Sequence, residues 1–318
     1  MSNFYVISFK EMRSLAKKVA NELGAAYSEI EMRKFPDNEL YVRVRIPLRT
    51  SRVAFIESFA RKPNEKLISA FLVSSALENL GVKSKILVAS YMPYMRQDKV
   101  FHRGESVSAR KIVGLLARSF DRLYAIDPHL HRIPSLQHIS KNAFEISANE
   151  LVEDYIKRKF KSYVILAPDE ESQQWGPRIA SKLGMGYVLF KKTRFSDRKV
   201  KIVPKSFVLH SGSSESAGRS GELARARSRG LKEKLKLERV LVIDDIISTG
   251  KTMLETIQFA KKLGAREIVC IGIHGIFAEQ ADKRIVKSAQ LITTNTIPSS
   301  YSKIDVSRLI STSLRKYF

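Results

Sequence analysis

Residues 240–253, VLVIDDIISTGKTM, place two conflicting chemistries in one stretch. Gly250-Lys251-Thr252 is how an ATP-binding P-loop ends, but such a loop requires Gly-x-x-x-x-Gly-Lys-Ser/Thr. Here the position of the first glycine holds Asp245. Asp244 and Asp245 at the end of a strand would repel a triphosphate unless metal intervened. They suit a different ligand, because carboxylates accept hydrogen bonds from the cis hydroxyls of a ribose and can assist in holding Mg²⁺. The run Ser248-Thr249-Gly250-Lys251-Thr252 then turns into a helix, whose free N–H groups and positive dipole end bind one phosphate. Acids for the sugar beside a backbone cradle for its phosphate describe a ribose 5-phosphate site. Lys251 either touches that phosphate or points to solvent.

Other chemically able residues follow strands elsewhere in the chain. SYMPYMRQDKVFHRGESVSARKIVGLL (90–116) carries Arg96, whose guanidinium is a fork for phosphate oxygens. YAIDPHLHRI (124–133) sets His129 and His131 after an acid, a pattern open to metal or phosphate contact and equally to a capped loop. KFPDNELYVRV (34–44) reads as strand, turn, strand, with Asn38 the residue type next best to glycine at positive φ.

Positioning these residues requires strands that end together, and the sequence supplies them. FYVISF precedes KEMRSLAKKVANELG, in which Met12, Leu15, Ala16, Val19, Ala20 and Leu23 fall at helical spacing and Gly24 marks the stop. The pattern recurs as RVAFIES then 64–80, SKILVAS then 107–119, RLYAID, SYVILAPD then 177–183, RVLVIDD then 251–263, and EIVCIGIH then 279–288. Apolar strands alternating with helices predict largely parallel sheets covered on both faces, with ligand residues on the loops after the strands.

A length of 318 residues suggests two domains of about 150 each. The boundary falls where RLYAID closes one series and a helix over 148–160 opens the next, giving domains 1–147 and 148–318. The hydrophobic fraction is 44%, with no run approaching the roughly 18 apolar residues of a membrane span. The N-terminus reads as a strand rather than a signal peptide, so a cytoplasmic location is expected. Cys270, the single cysteine, excludes an intrachain disulfide and reads as a small buried hydrophobe. A net charge of +24 suits a nucleic acid or an anionic small molecule. No finger, aromatic sheet signature or basic zipper points to nucleic acid. Residues 210–238 form a Ser-, Gly-, Arg- and Lys-rich insert that reads as a solvated excursion.

VLVIDDIISTGKT resembles the phosphoribosyl-pyrophosphate (PRPP) binding motif of the type I phosphoribosyltransferase fold, with Lys251 where glycine is usual. Over nearly the whole chain, the order of motifs resembles PRPP synthetase (ribose-phosphate pyrophosphokinase) of the archaeal type. The resemblance implies an α/β chain of two tandem phosphoribosyltransferase-like domains, each a mostly parallel sheet flanked by helices. It places ATP on the first domain and ribose 5-phosphate on the second, with the final helix packing on the N-terminal domain. It also implies residue roles. Phe35 stacks on adenine of a neighbouring subunit, Asp37 and Glu39 accept from its amino group, and Asn38 stands where glycine is usual. Arg96, Gln97 and Asp98 meet the rest of ATP. His129 and Asp169 address Mg²⁺, although Glu170-Glu171-Ser172 departs from the usual residues after Asp169. Arg194, Asp244, Asp245 and Ser248 to Thr252 hold ribose 5-phosphate. FKKTRFSDRKVKI resembles a flexible catalytic loop over 191–202, giving Lys192 and Arg194.

The activity implied is transfer of the β,γ-pyrophosphoryl group of Mg-ATP to ribose 5-phosphate by a homo-oligomer. Two alternatives share the opening motif. One is a catalytically impaired paralogue serving as a regulatory subunit, and the other is a PRPP-consuming phosphoribosyltransferase.

Overall fold

The computed structural model describes residues 3–48, 50–168, 172–196, 199–208 and 237–317, with 172–175 and 191–208 described for their backbone. The insert lies outside the described residues except at Leu237 and Glu238. The chain forms two compact units, Met1–Ala148 with Asn295–Phe318, and Asn149–Thr294.

In unit 1, strands β1 (Phe4–Ser8), β2 (Ala26–Glu29), β5 (Arg52–Ser58), β6 (Ser84–Tyr91), β7 (Arg122–Ile126) and β8 (Ala143–Ile146) form one sheet. Their order is β2-β1-β5-β6-β7-β8 and every neighbouring pair is parallel. Six of the seven residues of β5 are buried, which requires cover on both faces. Helices α1 (Arg13–Leu23), α2 (Pro63–Asn79) and α3 (Ser108–Ser119) follow strands of this sheet. Helix α1 buries Leu15, Ala16, Val19 and Ala20 and stops at Gly24, whose φ of 63° is the left-handed conformation that ends helices. Phe55 anchors the core, edge-on to Phe9 at 5.6 Å and stacked on Phe120 at 6.3 Å. A separate antiparallel hairpin joins β3 (Glu31–Lys34) to β4 (Leu40–Arg43).

In unit 2, strands β9 (Val164–Ala167), β10 (Tyr187–Ser196), β11 (Lys199–Val208), β12 (Arg239–Ile247), β13 (Glu267–Gly275) and β14 (Gln290–Thr294) run in the order β11-β10-β9-β12-β13-β14. All pairs are parallel except β10 with β11. The helices are α4 (Asn149–Lys159), α5 (Ser172–Leu183), α6 (Lys251–Lys262) and α7 (Ala281–Ile285). Within the stretch 191–202 the backbone pairs antiparallel, with Lys192 opposite Ile202 and Arg194 opposite Val200. Alternating Phe, Thr, Val and Ile in both strands supply the strand propensity.

With the β3–β4 hairpin and β11 set aside, the strand order is 2-1-3-4-5-6 in unit 1, and the same 2-1-3-4-5 run recurs in unit 2. In such sheets the strand order reverses between strands 1 and 3, and ligands gather at the carboxyl ends there. In unit 2 that point lies between β9 and β12.

The chain returns to unit 1 through β15 (Ser302–Ile304) and α8 (Ser307–Leu314). Helix α8 buries Ile310 and Leu314 and packs on α1. The hydroxyls of Ser307 and Ser311 both donate to the Glu22 carboxylate, at 2.8 and 2.5 Å. Asp305 pairs with Lys18 and accepts from the Ser307 N–H and the Asn295 amide, both at 2.9 Å. Tyr317 is fixed by the hydroxyl of Tyr124 at 2.8 Å and by the guanidinium of Arg122, 4.1 Å from its ring centre.

Candidate functional site

The carboxyl end of β12 carries the acidic pair. Asp244 is buried and lies opposite Gly272 of β13, while Asp245 is half-buried. The Asp245 N–H donates to Asp244 Oδ1 at 3.1 Å, which turns the first carboxyl group along the strand end. Glycine at 272 makes room for the Ile247 side chain, because a Cβ there would lie 2.7 Å from Ile247 Cδ1. Burial, followed by the neighbouring Asp244 charge, pushes the Cys270 thiol upward, so this cysteine is a neutral core residue.

Beyond β12 the chain tightens into the turn that opens α6. Gly250 is the N-cap of α6 with φ 70° and ψ 4°, and no side chain caps that helix. The first-turn N–H groups of an α-helix have no intrahelical acceptor, so they remain the donors a phosphate needs. A Cβ on Gly250 would lie 2.9 Å from Ala281 Cβ and 3.2 Å from Ile285 Cδ1. The loop thus rests directly on α7. Two further ties hold it: the N–H groups of Ile276 and Phe277 both donate to Ile247 O, at 3.0 and 3.1 Å, and Arg284 Nη2 donates to Thr249 O at 2.7 Å. Ser248, Thr249, Lys251 and Thr252 are half-buried.

In unit 1 a second group of predicted residues collects after β6 and β7. Arg96 is exposed and Gln97 half-buried, whereas Asp98 is buried. Both oxygens of the Asp98 carboxylate accept from Arg132 Nη1, at 3.0 and 3.2 Å, and the Arg132 N–H adds a third bond at 3.2 Å. Asp98 therefore ties the Arg96–Gln97 loop to the loop of His129 and His131. The two imidazoles meet edge to face at 4.7 Å. The acid before them, Asp127, accepts from the Ala148 N–H at 2.7 Å.

The β3–β4 turn carries the third group. Asn38 adopts φ 72°, its N–H donates to Phe35 O at 2.9 Å, and the Phe35 N–H donates to Glu39 O at 2.8 Å. Asp37 accepts from the Glu39 N–H at 3.2 Å. Phe35 is 40% exposed, with the Arg33 guanidinium 4.8 Å from its ring centre. An exposed aromatic ring on a rigid hairpin is a stacking platform.

Among the described residues no group of three His, Cys, Asp or Glu is placed to hold a metal ion, and Asp169 lies outside them. Mg²⁺ keeps several waters and binds through one or two carboxylates plus substrate phosphates. The donors present fit an ion that arrives on a nucleotide better than one caged by protein. Neither Arg132 nor Arg284 was marked in the sequence: Arg132 stands beside the histidines of its motif, Arg284 stands in no motif, and each acts on a residue 34 or 35 positions away.

Residues 135–306 match the phosphoribosyl transferase domain, and residues 4–119 match the N-terminal domain of ribose phosphate pyrophosphokinase. Over 278 residues the chain is 35% identical to the ribose-phosphate pyrophosphokinase of Pyrococcus abyssi, covering 87% of each chain. It is 32% identical to that of Pyrococcus furiosus, covering 92% of this chain and 95% of the relative. The fold is that of the crystal structure of phosphoribosylpyrophosphate synthetase from Mycobacterium smegmatis, with a TM-score of 0.77 over 98% of both chains at 22% identity. The chain belongs to the ribose-phosphate pyrophosphokinase family.

Proposed function

We propose that this chain makes PRPP and AMP from Mg-ATP and ribose 5-phosphate. The observation that carries the reading is the β12–α6 junction, where two carboxylates and an uncapped helix N-terminus occupy the point at which the strand order of unit 2 reverses. The oxygen of the C1 hydroxyl forms a bond to the β-phosphorus of ATP, the bond from that phosphorus to the α-phosphate oxygen breaks, and the hydroxyl proton is released. Such a transfer asks for positioning and charge neutralisation rather than covalent catalysis.

Each residue then has a distinct task. Asp244 and Asp245 accept from the ribose hydroxyls, and Ser248 to Thr252 surround the 5-phosphate. Arg96 and Gln97 bind the phosphates and sugar of ATP, and Asp98 positions them through Arg132. Phe35, Asp37, Asn38 and Glu39 receive the adenine of a neighbouring subunit, which makes the enzyme a homo-oligomer. The exposed ring of Phe35 and the nearby exposed Met32 support that assignment. Mg²⁺, bound with ATP and addressed by His129 and Asp169, neutralises phosphate charge when present. Lys192 and Arg194 contribute cations against the charge that develops on the β-phosphate.

No helix among the described residues is long and apolar enough to cross a membrane. Phosphorus NMR of the protein with ribose 5-phosphate, Mg²⁺ and ATP tests the reading. Equimolar AMP and PRPP are expected. No turnover would favour the regulatory subunit, ADP would mean a different group is transferred, and consumption of added PRPP with a base would favour the phosphoribosyltransferase.

A further inference from the structure

Arg284 stands outside every motif in the sequence, yet it holds the peptide that leads into the phosphate cradle. Its Nη2 donates to Thr249 O at 2.7 Å, and its Nε–H is buried with no hydrogen-bond partner. A buried donor left unpaired is costly, and such costs concentrate where function requires the arrangement. Arg284 is on α7, whose Ala281 and Ile285 are fully buried and form the surface against which Gly250 rests. Its guanidinium is therefore held by a packed element.

The consequence follows from peptide geometry. There are no cis peptide bonds in the described chain, and in a trans peptide the C=O and the following N–H point in opposite directions. Drawing Thr249 O toward Arg284 turns the Gly250 N–H away from it, toward the side on which α6 begins. It also removes a carbonyl dipole that would otherwise face an incoming anion. Glycine at φ 70° is the residue most able to permit the opposite rotation, so an external tie is what selects one peptide orientation.

We propose that Arg284 is a positioning residue for the 5-phosphate: it locks the Thr249–Gly250 peptide with its N–H presented to the phosphate, and so determines discrimination between ribose 5-phosphate and unphosphorylated ribose. This rests on the β12–α6 loop being the ribose 5-phosphate site.

The test compares the unmodified protein with Arg284→Met, which keeps most of the side-chain length and loses both donor and charge, and with Arg284→Lys, which restores them. Calorimetric affinity for ribose 5-phosphate should fall about tenfold or more in Arg284→Met, the scale for removal of one charge-assisted hydrogen bond. Arg284→Lys should recover most of it, while the KM for ATP and the weak binding of ribose stay unchanged. Equal weakening toward ribose 5-phosphate and ribose would overturn the proposal, as would unchanged affinity in Arg284→Met. Amide exchange on the unmodified protein gives a reading that needs no variant. The Gly250 N–H should be protected by ribose 5-phosphate and not by ribose, and absence of that protection refutes the peptide lock. If the unmodified protein fails to bind ribose 5-phosphate at all, the site assignment itself falls, and the lock with it.

Discussion

Replacing Gly250 by alanine separates two demands that the cradle makes on this one residue. The first is conformational: φ 70° is left-handed, which costs an L-residue about 1–2 kcal/mol. The second is steric, since the new methyl would sit 2.9 Å from Ala281 Cβ and 3.2 Å from Ile285 Cδ1. Overpacking of that kind adds about 1–3 kcal/mol, for a total of roughly 2–5 kcal/mol. Gly264 provides the control, because its φ is 91° and an added Cβ meets nothing within 4 Å. Gly264→Ala should show the conformational cost alone. Urea unfolding followed through the single tryptophan, Trp175 in α5, reports on unit 2. Calorimetry with ribose 5-phosphate reports whether the loop escaped the clash by moving, in which case lost affinity replaces part of the lost stability. Ala281→Gly removes the closest opposing atom, so the double variant should recover about 1 kcal/mol or more relative to additivity. If Gly250→Ala costs no more than Gly264→Ala in both assays, or the pair is additive, then α7 does not support the loop in the way described.

Asp305→Asn tests the attachment of the last helix through pH. Burial raises the Asp305 pKa, but Lys18, the Ser307 N–H and Asn295 together more than offset it, leaving it below the ordinary 3.8. A depressed folded value contributes stability above the unfolded pKa that is lost as pH falls through the folded one. The stability gap between the unmodified protein and Asp305→Asn should therefore narrow below about pH 3.8 in acid unfolding, and a gap that widens there refutes the assignment. Lys192→Ala should lower turnover by about a hundredfold or more while leaving the ribose 5-phosphate affinity intact, and steady-state kinetics beside calorimetry would expose the opposite pattern. Asn38→Gly should stay within about 0.5 kcal/mol of the unmodified protein, whereas Asn38→Val should lose about 1–2 kcal/mol of stability. Thermal unfolding of the pair would show equal effects if the turn does not need positive φ.

Much of the scaffold could be read from period and punctuation. Helix α6 lies over Lys251–Lys262 against an expected 251–263, and α3 over Ser108–Ser119 against 107–119. Gly24 ends α1 with the left-handed geometry its position foretold. The alternation of strands and helices fixed parallel sheets because each unit's strands are apolar on both faces. Legibility was poorer at element ends and between elements. The β10–β11 pairing follows the strands' own Val, Ile, Phe and Thr residues, which the sequence reading did not use. Helix α7 is shorter than the expected 279–288, because Glu279 and Gln280 hold positive φ values of 55° and 56° before it begins. The contacts that tune the sites were invisible for another reason. Arg132 on Asp98 and Arg284 on Thr249 join separate loops, and no periodicity encodes which arginine the fold will bring there. The same is true of Lys66, which buries its ammonium between Glu57, Glu11 and the Ser58 carbonyl.

The return of residues 295–317 to unit 1 also sets an order of events during synthesis. Unit 2 is drawn from one uninterrupted stretch, so its whole sequence is synthesised before the piece that completes unit 1. At about 5–20 residues per second, α1 waits on the order of tens of seconds for the helix that will cover it, with Glu22 lacking its two serine donors in the meantime. The nascent chain is therefore vulnerable at its oldest part, not its newest. A ribosome stalled just short of Ser307 would display a first unit whose α1 face is still open to chaperones, with the last strand of unit 2 still inside the exit tunnel.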